Sequence, residues 1–144
     1  MTEAVIEPED RARADLYAVL ARLFYAPPDH ELLEQLGAAG ADGALEDAPL
    51  PRRWAELGRA ATQADAESLR EEYESLFVGT GKAEVTLYAG AYRTRMGAVN
   101  PVVQIRDFLG AAGLARKATV HEPEDHMASL LETMRHLILR GDAE

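Results

Sequence analysis

Glu122-Pro123-Glu124-Asp125-His126-Met127 gathers three acids and a histidine where an amphipathic stretch begins. Residues of these types do three kinds of work. Carboxylates at a helix start stabilise the positive end of the helix dipole, which is the commonest role for such clusters. A carboxylate beside an imidazole orients a side chain or accepts a charged donor. Imidazole together with carboxylate is also a ligand set for zinc or iron, and that reading joins His121, Glu122, Asp125 and His126. Spacing weighs against metal: two histidines on one helical face sit four apart, whereas these are five apart with Pro123 between them marking a helix start.

Other motifs carry less. Gly79-Thr80-Gly81-Lys82 ends like a phosphate loop, but Ala83 stands where serine or threonine is required and no strand precedes it. A helix end followed by a loop is the simpler reading. No Gly-x-Ser-x-Gly, cysteine nucleophile or catalytic triad is evident, so no covalent chemistry is assigned and no cofactor is expected. Among the aromatics, Tyr25 and Tyr73 stand out because each places a hydroxyl at or near a helix end.

The elements that must position these residues read as helices. Pro8 opens the first, with Leu16, Val19, Leu20, Leu23 and Phe24 at helical spacing, and it ends before Pro27-Pro28. Asp29 caps a second carrying Leu32, Leu33 and Leu36, with Gly37 as its stop and a loop to Asp47. Pro51 restarts helix, with Trp54, Leu57 and Ala61 inward. Asp65 caps the next, whose face is Leu69, Tyr73, Leu76 and Phe77 and whose stop is Gly79. Thr80 to Val99 loses period and reads as a long connection of the kind that often carries function. Asn100-Pro101 opens a helix with Val102, Ile105 and Leu109 inward until Gly113. The last helix is expected from Pro123, with Met127, Leu130, Leu131, Met134, Leu137 and Ile138 as its stripe and Gly141 as its stop. The expected fold is all-α, one helical domain over residues 1–144.

Charge narrows the partners. Twenty-five acids against 15 bases leave a net charge of −10, which repels nucleic-acid phosphates and anionic membranes and attracts cationic segments. The absence of cysteine removes disulfides and thiolate sites. Met1 to Asp10 lacks a basic start and an apolar run, and no segment reaches the roughly 20 apolar residues that span a bilayer. A cytoplasmic protein without stable membrane insertion is expected.

Three motifs in order, Leu23-Phe24-Tyr25-x-Pro27-Pro28, Glu72-Tyr73-x-x-Leu76-Phe77-Val78-Gly79 and Glu122-Pro123-x-Asp125-His126, resemble the TorD/DmsD family of redox-enzyme maturation chaperones. The resemblance runs from the first helix to the end of the chain. It implies an all-helical chaperone that holds the apo catalytic subunit of a molybdopterin oxidoreductase, assists cofactor insertion, binds the twin-arginine leader and prevents premature export. By position it implies leader-binding roles for Tyr25, Tyr73, Leu76, Pro123, Asp125 and His126. The chemistry adds Glu122: two guanidinium groups followed by an apolar stretch call for carboxylates beside a hydrophobic groove, with Asp125 and Glu122 receiving the arginines. Relatives continue with further helices after the Asp-His helix, so this chain is expected to lack the usual C-terminal helices and part of the groove wall. Met134, Leu137 and Ile138 would then need cover, which leads to the expectation of a homodimer or larger assembly, with domain swapping as one route to it. Besides the metal-dependent enzyme, a general acidic helical interaction module is the remaining alternative.

Overall fold

The computed structural model describes residues 6–43, 49–93 and 99–141. Seven α-helices occur among them: α1 (Pro8–Tyr25), α2 (His30–Gly43), α3 (Pro49–Gln63), α4 (Ala66–Tyr73), α5 (Gly90–Arg93), α6 (Pro101–Ala111) and α7 (Met127–Arg140). No strand is present among the described residues, and the only sheet-like pairing there is an isolated antiparallel bridge between Tyr88 and His126. The protein is all-α. No helix among the described residues is long and apolar enough to cross a membrane.

Two compact units divide the chain, one formed by Met1–Tyr25 with Thr86–Glu144 and the other by Ala26–Val85. In the first, α1 packs on α7. The innermost residues of α1 are Ala14 and Ala21, two turns apart on one stripe, while Leu16, Val19, Leu20, Leu23 and Phe24 flank it half-buried. Small residues at the centre of a helix pair let the backbones approach, and the larger side chains close over the sides. From α7 the buried residues are Ala128, Leu137 and Ile138. Leu137 and Ile138 are therefore covered within this chain, which removes them from the argument for a dimer; only Met134, 45% exposed, still lacks cover.

The second unit is built on the pairing of α2 with α3. Asp29 caps α2, its carboxylate accepting the Leu32 N–H at 2.8 Å, and Leu32, Leu33 and Leu36 are buried. Gly37 does not end this helix, contrary to expectation; α2 runs on to Gly43. The reason is in space: a Cβ on Gly40 would lie 2.5 Å from the Gly58 Cα, and one on Gly58 would lie 2.6 Å from the Gly40 Cα. The glycines make a close helix crossing. α3 begins at Pro49, two residues before the expected Pro51, and its buried seam is Ala55, Gly58 and Ala61, with Trp54 and Leu57 half-buried beside it. The loop expected before Asp47 lies, over 44–48, outside the described residues.

Asp65 caps α4 as expected, accepting the Ser68 N–H at 2.9 Å. Beyond Tyr73 the helix widens into one π turn, Glu74–Val78, which closes at Gly79 (φ 65°) with its N–H donating to the Glu74 carbonyl at 2.7 Å. No strand leads into Gly79, consistent with a helix end there and not a phosphate loop. Part of the Thr80–Val99 connection is organised: Leu87 is buried and α5 follows; residues 94–98 lie outside the described set. Asn100 caps α6 through Val102 N–H, with Pro101 in the first turn.

Candidate functional site

The last helix starts at Met127, four residues later than Pro123 suggests. Pro123 instead opens a turn in which its carbonyl accepts the His126 N–H at 3.1 Å, and the chain enters the helix only after that turn closes. None of Glu122, Glu124 or Asp125 supplies the cap. His126 does: its backbone is extended (φ −63°, ψ 135°) and its Nδ1 accepts the Ala128 N–H at 3.1 Å. An accepting Nδ1 requires the neutral ring with its proton on Nε2. Burial lowers the His126 pKa below the ordinary histidine value, while Glu122 and Asp125 pull it the other way.

The segment Thr86–Gly90 crosses this turn like a strap. Met127 N–H donates to the Leu87 carbonyl at 2.8 Å and Ala89 N–H to the Asp125 carbonyl at 3.0 Å, so Tyr88 lies opposite His126. The Tyr88 ring meets the His126 ring edge-on, centroids 5.0 Å apart at 78°. Asp125, buried, turns its Oδ2 to the Gly90 N–H at 2.9 Å, at the start of α5. A Cβ at residue 90 would stand 2.9 Å from that oxygen, so glycine there is what lets the backbone come close. Tyr92 closes the strap on itself, its hydroxyl donating to the Thr86 carbonyl at 2.9 Å.

Glu124 anchors the turn from the other side. Its Oε1 accepts Nε of Arg106 in α6 at 2.9 Å and lies 3.5 Å from Nε of Arg116, whose Nη1 is held by the Val120 carbonyl. The Arg106 hydrogen bond holds the Glu124 carboxyl below the usual carboxylate range, against the opposing effect of burial. Glu122, half-buried, has no hydrogen bond or ion pair among the described residues.

Glu122, Pro123, Asp125 and His126 are thus brought together in one turn. Tyr25 closes α1 in the same unit and is 60% exposed. Tyr73 and Leu76 belong to the second unit, where Tyr73 packs edge-on against Phe77 at 5.0 Å and the Leu76 carbonyl accepts Val85 N–H. The metal set does not assemble: no group of three or more acids and histidines able to hold an ion occurs among the described residues, and the Asp125 and His126 acceptors face Gly90 and Ala128 instead. Sequence reasoning missed Arg106, Arg116 and the Thr86–Gly90 strap. A two-residue bridge has no periodicity to betray it, and the only signal was an aperiodic stretch containing Tyr88, Gly90 and Tyr92.

A family model described as nitrate reductase delta subunit matches residues 44–144. Chaperone protein TorD of Vibrio cholerae (El Tor Inaba N16961) is 28% identical over 141 residues, 90% of this chain and 64% of that protein. TorD of Escherichia coli O157:H7 is 32% identical and covers 86% of this chain and 64% of the relative. TorD of Shewanella pealeana is 28% identical and covers 98% and 72%. The chain thus spans about two thirds of the length of these relatives. A crystal structure from Archaeoglobus fulgidus, of a protein assigned to redox enzyme maturation, superposes with a TM-score of 0.59 at 21% identity over 86% of this chain and 70% of that one. That likeness bears on the fold.

Proposed function

We propose that this chain, which belongs to the nitrate reductase delta subunit family of TorD-type maturation chaperones, binds the twin-arginine leader and the apo catalytic subunit of a molybdopterin-containing oxidoreductase. The family is one of chaperones, not catalysts. In the cytoplasm, the complex would hold the precursor open for cofactor insertion and delay its export.

One observation carries the leader-binding part: a hydrogen-bonded, acid-bearing turn before α7 whose His126 and Asp125 accept from backbone donors, leaving the Glu122 carboxylate without a partner among the described residues. A cationic peptide arriving there meets a carboxylate with no competing partner among the described residues to displace. The net charge of −10 draws such a peptide in from a distance. A single close pair supplies about 4 kcal/mol of attraction at an effective dielectric of 20 before desolvation, enough to orient a leader and compatible with its release. Tyr25, exposed at the end of α1 in the same unit, is the proposed apolar contact for the stretch after the arginines.

Calorimetric titration with a synthetic twin-arginine leader, its twin-lysine form and a scrambled form tests this. Selective binding of the first is expected. Equal affinity for all three reduces the protein to a general acidic interaction module.

A further inference from the structure

We propose that Glu124 is a guanidinium-binding site whose place is held, in the free protein, by Arg106. The inference rests on the leader-binding reading above and says which acid takes the second arginine. Glu124 is 8% exposed, and only one of its oxygens is used: Oε1 takes the Arg106 Nε and sits near Arg116, while Oε2 is buried without a hydrogen bond. A buried carboxylate oxygen whose lone pairs accept no hydrogen bond is costly to keep.

Arginine can fill both oxygens of a carboxylate with two parallel N–H bonds, and Arg106 does not, since its one hydrogen bond to Glu124 runs through Nε alone. Its side chain is 54% exposed, so it can swing into water with little loss of packing. Arg116 is tethered to the Val120 carbonyl and stays, keeping one cation beside the carboxylate throughout. The exchange conserves charge, because one guanidinium leaves as another arrives. Two arginines then meet two acids, Glu122 at the rim and Glu124 within. Asp125, engaged by Gly90, is a positioning residue that sets the strap and receives no arginine.

The test is a calorimetric titration of a synthetic peptide bearing two consecutive arginines and an apolar stretch into the wild type, Arg106→Gln and Glu124→Gln, repeated with each arginine replaced in turn by lysine. Arg106→Gln should melt earlier when free yet bind the peptide more tightly, by roughly three- to tenfold, as for other contacting charge pairs. Glu124→Gln should weaken binding to a similar degree and erase the preference for arginine over lysine at one of the two peptide positions only. Unchanged or weaker binding by Arg106→Gln, with arginine-selective binding intact in the wild type, overturns the exchange and leaves the leader reading standing. A wild type indifferent to arginine overturns both. Should Glu124→Gln not fold, the direction of the Arg106→Gln change decides alone.

Discussion

His126 does two jobs with one ring, capping α7 through Nδ1 and meeting Tyr88 with its face or edge. Removing it in His126→Ala should cost about 1 kcal/mol for the cap, the magnitude found for other cap residues, read as a lower midpoint in urea. His126→Asn, which caps without titrating near neutrality, should recover most of that. The pH dependence follows from the lowered His126 pKa. Above about 6.5 the ring is neutral in both folded and unfolded chains; as pH falls below that, the unfolded chain takes up a proton that the folded one resists. Stability present at neutral pH is therefore lost between about 6.5 and the lowered folded value, and His126→Asn should flatten this part of the stability curve. Glu124, also lowered, adds a second loss at more acid pH, starting near about 4.3, where the unfolded carboxyl protonates first. A denaturation series across both ranges checks the two steps.

At the scale of elements, glycine separates what the sequence discloses from what only contact does. Gly141 was legible as the stop of α7, and it takes the left-handed conformation such stops require (φ 77°). Gly37 looked the same and is not a stop, because α2 needs slender residues where α3 crosses it. A glycine that ends a helix and one that admits a neighbour read alike until the neighbour is known. Gly40→Ala and Gly58→Ala should each destabilise the α2–α3 unit, since the added methyl meets backbone on the other helix and overpacking of about 1–3 kcal/mol outweighs the gain in helix propensity. Gly110→Ala in α6 meets nothing within 4 Å and should stabilise by about 0.4–1 kcal/mol. Chemical denaturation followed by helix signal separates these outcomes. The caps Asp29, Asp65 and Asn100 were legible for the opposite reason: each acts on its own next turn, so the local sequence holds all the information. The start of α7 was misplaced because proline usually sits in a first helical turn, whereas here Pro123 begins the turn before it.

For the whole molecule, the acidic turn was legible as a place but not as a mechanism. Which acid is engaged depends on Gly90, 35 residues from Asp125, and on Arg106, 18 residues from Glu124, and neither pairing has a sequence signature. The surplus of acids suits capture of cationic segments and makes that capture sensitive to salt. Raising ionic strength from about 0.1 M to about 1 M shortens the screening distance from about 10 Å to about 3 Å, so affinity for a twin-arginine leader should fall, mainly through slower association. Stopped-flow binding at both salts checks this. The most direct measurement of the central claim, that the turn before α7 receives the leader, is an amide chemical-shift titration of the isotopically labelled protein with the twin-arginine peptide. Large shifts at Glu122, Glu124, His126, Ala128 and Gly90, absent with the scrambled peptide, are the predicted result. Saturable binding that leaves those five amides unmoved would contradict it.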